Sequence, residues 1–236
     1  MSLREDIATP DKKRRYVRTL FATIADRYDF ITVALSYGLD RRWKQRVVAL
    51  AGRTQGRVLD LATGTGDIAY GFGDDAARVV GLDITPRMIE LARAKHPARS
   101  QVHFLVGDML ALPFPSRSFD AVTVGYGLRN VPDLGVALDE IARVVRPGGC
   151  LVSLDFNRPS NPFIRWLYFV YLNAVGGALG WALHNDPDTY RYIPASLRTY
   201  PGAEGVASML RARGFSRVDH MRVLFGLLAI HHARRD

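Results

Sequence analysis

The stretch Arg57-Val58-Leu59-Asp60-Leu61-Ala62-Thr63-Gly64-Thr65-Gly66-Asp67 constrains this chain more than any other. Val58 to Leu61, mostly apolar, stop at a run of small residues, the way a buried parallel strand delivers its chain into a tight turn and a following helix. Gly64 and Gly66 have no Cβ, so the backbone there tolerates positive φ and leaves room for a ligand. In open α/β sheets the carboxyl end of such a strand is where ligands bind. Gly64-x-Gly66-x-x-Ala69 also satisfies the loose dinucleotide fingerprint, so the glycines alone do not name the ligand. The acids are more informative. Asp60 and Asp67 bracket the turn and no basic residue lies between them, which disfavours a pyrophosphate and suits a cation. S-adenosylmethionine, with its α-ammonium and sulfonium, fits that charge pattern better than NAD. Asp67 reads equally well as a plain helix N-cap.

Strands and helices alternate beyond the turn. Arg78 to Leu82 reads as a second strand ending in Asp83, 17 residues past Gly66, where an acid accepts hydrogen bonds from ribose hydroxyls. Thr85-Pro86 opens a helix and Val102 to Val106 is a third strand. Asp108, with Met109 and the turn Leu112-Pro113-Phe114-Pro115, is placed to grip an adenine amino group. Asp120 to Gly127 is the fourth strand, so Gly125 to Asn130 face the group being transferred. A helix over 133–145 and the turn Arg146-Pro147-Gly148-Gly149 lead to strand five, Cys150 to Phe156. Ser216 to Leu224 and Phe225 to Ala233 have almost no loop between them, which makes them antiparallel. The expected fold is α/β: a doubly wound, seven-stranded, mostly parallel sheet closed by an antiparallel hairpin.

We read residues 1–236 as a single domain, long enough for one sizeable core. Residues 1–52 supply a helical cover: one helix from Lys12 to Tyr28 and a second capped by Asp40, in which Trp43 serves packing. Residues 157–199 break the βα rhythm and form a helical insertion. Within it Phe163 to Leu183 carries one charge, Arg165. A membrane span is the obvious reading of such a stretch, but Asn173, Gly176-Gly177 and Gly180 interrupt it, and strands on both sides belong to one sheet. We expect helices that receive an apolar chain instead.

The net charge of +9 admits nucleic acid, an anionic membrane surface or no specific partner. A single cysteine, Cys150, rules out an internal disulfide and favours a reducing, cytoplasmic setting. Met1 to Lys13 lack the apolar core of a secretory signal. No Cys or His cluster has metal spacing, so no metal is expected, and His231-His232 read as solvent-facing.

Taken together, these residues resemble the UbiE-type ubiquinone/menaquinone C-methyltransferases, class I S-adenosylmethionine enzymes with a Rossmann-like fold. The resemblance runs through Tyr28-Asp29, Ser36-Tyr37-Gly38 to Trp43-Lys44, Asp60 with Gly64 to Asp67, Leu112 to Pro115, Gly127-Leu128-Arg129-Asn130, Arg146 to Gly149, Asn185-Asp186, Tyr190-Arg191-Tyr192 and Arg213-Gly214-Phe215. It implies methyl transfer to a ring carbon of a polyprenylated hydroquinone, demethylmenaquinol or a ubiquinol precursor. It further implies cofactor contacts from Tyr28, Asp60, Gly64, Thr65, Gly66, Asp83, Asp108, Met109 and Gly125, with Tyr190 and Arg191 near the head group. Asp40 stands where such sequences often carry His, Gly125 where they often carry Ser, and Asp155-Phe156-Asn157 where Glu-Phe-Ser is expected.

That chemistry asks the protein to orient ring and methyl, favour a phenolate and exclude water. Arg129 is the residue we assign to the oxyanion; the alternative is a helical pair with Asp133. Water held by Arg129, His184 or Asp186 is a candidate base, and His184 otherwise reads as a satisfied helix-end histidine. Tyr190 and Arg191 line the head group or fasten the lid. Another small phenol or lipid is the rival acceptor, and a basic RNA- or membrane-binding module the non-enzymatic reading. Nucleic-acid methylation is disfavoured by the Gly125 to Asn130 loop. Peripheral contact with an anionic membrane at its inner face, and a homo-oligomer, are compatible with the sequence.

Overall fold

Seven strands form one sheet in the order β3-β2-β1-β4-β5-β7-β6 in a computed structural model that describes residues 5, 7–36, 38–52, 56–73, 78–96, 100–186 and 189–236. The strands are β1 (Arg57–Leu61), β2 (Arg78–Asp83), β3 (Val102–Val106), β4 (Phe119–Gly125), β5 (Val145–Phe156), β6 (Phe215–Val223) and β7 (Leu228–Arg235). Strands β1 to β5 are parallel, and β7 runs antiparallel to both β5 and β6. The chain therefore winds outward in both directions from β1. The gap between the connections that follow β1 and β4 is the topological switch point at which such sheets open a crevice.

Burial explains why the strand sequences alternate so little. Val58, Leu59, Asp60 and Leu61 are all buried because both sheet faces are covered. Val58 belongs to a core shared with Val79, Ile68 and Ile89, whereas Leu59 and Leu61 join Val122, Val124, Leu138 and Ile141 on the other side. The covering helices are α1 (Pro10–Ile24), α2 (Tyr28–Leu35), α3 (Asp40–Ala51), α4 (Asp67–Gly71), α5 (Pro86–Lys95), α6 (Leu134–Val144), α7 (Pro162–His184), α8 (Tyr192–Thr199) and α9 (Gly202–Arg211). Thr9 caps α1 by accepting from Lys12 N, and Asp133 caps α6 by accepting from Val136 N.

Several local expectations are corrected. The helix expected over Lys12 to Tyr28 ends at Ile24; a 3₁₀ turn, Ala25–Arg27, bends the chain and Tyr28 starts α2. Leu39, not Asp40, is the cap of α3, and the Asp40 carboxylate instead pairs with Lys44 one turn on, at 2.6 Å. Strand β5 begins at Val145, and the Arg146–Gly149 turn is absorbed as a register shift between the pairs Phe119/Val145 and Ala121/Cys150. His231 does not face solvent. It is buried, its ring nitrogens 3.1 Å from Ser153 Oγ and 2.9 Å from Ala203 O, and burial pushes its pKa down to about 4. Tyr37 lies outside the described residues.

The largest difference is α7, a single unbroken helix of 23 residues across the glycines expected to interrupt it. Gly176, Gly177 and Gly180 fall on its buried side, and a Cβ at Gly176 would stand 3.3 Å from Tyr190 Cβ. The glycines let the chain around Tyr190 approach closely, and that packing outweighs their poor helix propensity.

Candidate active site

The site grows out of the ends of β1, β2, β3 and β4. Past β1 the chain turns through Ala62, Gly64 and Gly66, all at positive φ (50°, 55° and 86°), so α4 starts directly beneath the turn. A Cβ on Gly66 would lie 2.9 Å from Phe104, too close for any side chain, whereas at Gly64 a Cβ would only touch the Tyr28 ring at 3.4 Å and it is the positive φ that favours glycine. Tyr126, directly after β4, also sits at positive φ (58°) and is pinned by its N–H to Leu154 O at 2.7 Å.

A cleft enclosing about 660 Å³, its open mouth included, lies over these strand ends. Tyr28, Gly64, Asp83, Asp108, Met109 and Gly125 all line it, so six of the sequence-predicted cofactor residues converge on one cavity. Asp83 is buried; its Oδ2 accepts from Gly64 N at 3.0 Å and its Oδ1 from Thr85 N at 2.8 Å. Each oxygen keeps a lone pair for a diol, and burial holds the carboxyl above its ordinary pKa. Asp108 Oδ1 accepts from Leu110 N at 2.9 Å, while Oδ2 is paired with Arg14 of α1.

Asp60, Thr65 and Gly66 do not line this cleft. Asp60 lies fully buried behind the loop, where Thr63 Oγ1 donates to it at 2.6 Å and Thr123 Oγ1 at 2.7 Å; burial raises its pKa to about 6. Thr65 Oγ1 donates to Asp29 at 2.6 Å, tying the turn to α2. Asp67 is neither cap nor free. Its carboxylate is paired with Lys44 at 2.9 Å and with Lys95, and these cations outweigh burial to keep its pKa below the ordinary value. The acidic turn thus acquires cations from outside its own sequence.

A second cleft, mostly apolar, shares Phe21, Tyr28 and Tyr126 with the first and is closed by Leu20, Ile24, Ile31, Phe156, Tyr190, Tyr192 and Ile193. Arg129 lines it, delivered by the 3₁₀ turn Leu128–Asn130 that follows β4. Its partner is Asp155 at the end of β5, not Asp133: Nε stands 3.0 Å from Asp155 Oδ1, without hydrogen-bond alignment, and the Arg129 N–H donates to Oδ2 at 3.1 Å. Nη1 donates to Asn130 Oδ1 and Ser196 Oγ, and the guanidinium carbon lies 5.0 Å above the Phe156 ring. Burial pushes the Asp155 pKa up even against that cation. Lys13 of α1 donates to Arg129 O at 3.1 Å and Val131 O at 2.6 Å, and burial, helped by Arg129, pulls its pKa down to about 8.

Tyr190 Oη and His184 Nε2 lie 2.9 Å apart at the edge of the apolar cleft. Arg191 is exposed, its guanidinium against Gly177 of α7, and it does not line either cleft. No residue of Phe163 to Leu183 lines them either. The cations that sequence reasoning missed, Lys13, Arg14, Lys44 and Lys95, come from elements far apart in the chain. Only the Asp40–Lys44 spacing, i to i+4, left a local signal. Among the described residues no group of acids, His or Cys is disposed to hold a metal.

The cleft fits one cofactor chemistry. It offers a glycine turn at positive φ, a buried carboxylate at the end of β2 for a diol, and a second carboxylate just past β3 for an exocyclic amine. Together with a parallel sheet closed by an antiparallel hairpin, this defines a class I S-adenosylmethionine-dependent methyltransferase. Solved structures agree on the fold: a possible histamine N-methyltransferase from Thermotoga maritima matches with TM-score 0.68 at 18% identity, covering 93% of this chain and all of that one. The N-methyltransferase NodS of Bradyrhizobium japonicum, solved with S-adenosyl-L-homocysteine, matches with TM-score 0.59 at 16% identity over 84% of this chain and 87% of its own. The chain belongs to the ubiE/COQ5 methyltransferase family, whose profile matches residues 9–235. It is 44% identical to a demethylmenaquinone methyltransferase of Thermus thermophilus, over 90% of this chain and 98% of that protein. It is 40% identical to a ubiquinone/menaquinone biosynthesis C-methyltransferase UbiE of Dinoroseobacter shibae, over 94% and 91%.

Proposed function

We propose that this enzyme methylates a ring carbon of a polyprenylated hydroquinone, demethylmenaquinol or a ubiquinol precursor. The observation that carries the proposal is the pair of clefts sharing Tyr28 and Tyr126 as a common wall, one carrying the Asp83 and Asp108 carboxylates and suited to a nucleoside, the other apolar with a buried arginine. The relatives named above act in quinone pathways, which supports the same class of acceptor here.

The cofactor supplies an electrophilic methyl on a sulfonium. Asp83 holds the ribose, Asp108 and Met109 the adenine, and the backbone at Gly64 and Gly125 together with the Tyr28 ring positions the methyl-bearing end. Asp60 and Gly66 shape the turn from behind, and Thr65 lines a small adjoining pocket with Tyr28, Gly125 and Tyr126. In the apolar cleft, Nη2 of Arg129 has no hydrogen-bond partner among the described residues and is the donor we assign to the phenolic oxygen. A buried cation there favours the phenolate, whose proton passes to water. Its electron density moves to the adjacent ring carbon, which would take the methyl as the methyl–sulfur bond breaks. That carbon's own proton is then lost to water to restore the aromatic ring. Arginine's own proton is too tightly held for it to act as the base. Tyr190 closes the cleft against water with His184 behind it, and Arg191 packs on α7 at Gly177 within the insertion. The polyprenyl tail leaves between Leu20, Ile24 and Ile31. A soluble cofactor and a lipid tail support a reaction in the cytoplasm at the inner membrane face.

The test is transfer of labelled methyl from S-adenosylmethionine to a panel of demethylated quinols and quinones. Methylation of the reduced compounds and not the oxidised ones is the expected result. Cofactor binding with turnover only on an unrelated phenol or lipid, or with none, overturns it.

A further inference from the structure

We infer that the outer face of α7 is the surface by which this protein lies on an anionic lipid bilayer, an inference that rests on the reading of a lipid-tailed substrate. The face is a continuous stripe. Phe163, Trp166, Leu167, Val170, Ala174 and Trp181 recur at helical spacing and are all exposed, Phe163 at 69%, Trp166 at 61% and Trp181 at 68%. From Phe163 to Trp181 the stripe runs roughly 27 Å at 1.5 Å per residue. Large aromatic side chains at both ends and aliphatic ones between them would be costly to leave in water over such a length.

α7 is long and apolar enough to cross a membrane. Its opposite face decides otherwise: Tyr168, Leu172 and Gly176 are buried against the domain, and Tyr168 and Leu172 share a core with Phe156, Tyr190 and Ile193. A helix with one side fixed to a protein core and the other apolar and bare is built to lie in the interface plane.

Charge identifies the occupant. Arg158, Arg165 and Arg198 surround the Trp166 end of the stripe, and no ion pair among the described residues involves them. Asn157 to His184 contains no Asp or Glu. At the same end the β6–β7 turn is tied down by Asn157, whose Nδ2 donates to Gly226 O at 2.9 Å, and it holds out Phe225, 87% exposed. Aromatics flanked by unpaired arginines match the headgroup region of an anionic bilayer, with the stems among acyl chains and the guanidinium groups among phosphates. A second copy of this chain packed through the same helix would bring further arginines and no carboxylate from that segment, because Asn157 to His184 holds no Asp or Glu. A lipid surface supplies the missing charge and the apolar medium at once.

The test is co-sedimentation of the full chain with vesicles of phosphatidylcholine containing phosphatidylglycerol, and with vesicles of phosphatidylcholine alone. We expect binding to the first to be at least tenfold tighter and to weaken with added salt. F163S/W166S and R158Q/R165Q/R198Q should each lose at least tenfold of it. Brominated lipids should quench the fluorescence of Trp166 and Trp181, read in W181F and W166F respectively. Both multiple variants should methylate a short-tailed acceptor in detergent at the wild-type rate. Equal vesicle binding by wild type and either multiple variant overturns the inference. So does a wild-type dimer that F163S/W166S converts to monomer with no vesicle binding, because the face would then join copies of the chain. Absence of methyl transfer in detergent overturns the proposed reaction and leaves the vesicle result standing, so the two fail separately.

Discussion

Arg129 and Asp155 form a buried pair across the ends of β4 and β5, Nε 3.0 Å from Oδ1, with the Arg129 backbone N–H closing on the same carboxylate. The pair gives Arg129 two duties, and a single mutant confounds them. Arg129→Met should lower turnover by orders of magnitude and also destabilise the fold by about 3 kcal/mol, because Asp155 is left buried without its cation. That stability cost should shrink as pH falls, since Asp155 can then take up a proton. The double variant Arg129→Met/Asp155→Asn removes the unpaired charge. Denaturant melts should show it recovering stability with activity still absent, whereas recovery of turnover would make Arg129 structural only.

Asp83 holds Gly64 N and Thr85 N as well as lining the cofactor cleft. Asp83→Ala should weaken S-adenosylmethionine binding at least tenfold, a modest expectation given about 1.5 to 3 kcal/mol for each hydrogen bond to a charged group. Calorimetry decides it, with Asp83→Asn expected to fall between mutant and wild type. Unchanged affinity in the alanine variant would remove Asp83 from the cofactor site.

Asp60 makes a pH-dependent contribution whose sign follows from burial. Its folded pKa of about 6 lies above the ordinary carboxylate value, so the folded protein holds a proton that the unfolded chain has released between about pH 4 and pH 6. Stability from this group is therefore fully present below about pH 4 and is lost as pH rises through about 6. Asp60→Asn should abolish that component, so the difference in unfolding free energy between wild type and variant should move toward the variant from pH 4 to pH 7. A difference flat across that range would mean the two threonine hydroxyls offset the burial.

What the sequence made legible was whatever depended on neighbours in the chain. The order of strands and helices, the glycine turn and the antiparallel end all follow from short-range period and turn residues, and Asp83 and Asp108 were placed by standing at strand ends. The alternative that Arg129 pairs with Asp133, four residues on, gives way to Asp155, 26 residues away and beyond any local spacing. The sequence reads Asp67 as a helix N-cap or a ligand contact because its true partners are not local: Lys44 and Lys95 reach it from α3 and α5. The unbroken course of α7 was hidden because glycine is scored locally as a helix breaker, while here it serves the approach of Tyr190.

The tail prediction separates the two apolar surfaces of the insertion and the helical cover. Leu20 is half-buried on the wall of the apolar cleft, while Trp166 stands on the outer face of α7. Each tail methylene taken out of water contributes about 0.8 kcal/mol, so one isoprene unit entering the cleft should raise kcat/KM several-fold at least. Leu20→Asp puts a charge beside that path and raises the cost of seating the tail there without touching Asp83 or the glycine turn. In detergent, where delivery from a membrane plays no part, wild type should prefer a substrate with several isoprene units over its tail-free analogue. Leu20→Asp should lose that preference while binding S-adenosylmethionine normally, and Trp166→Asp should keep it. If Trp166→Asp loses the preference in detergent and Leu20→Asp keeps it, the tail lies along α7 and the apolar cleft receives the ring alone.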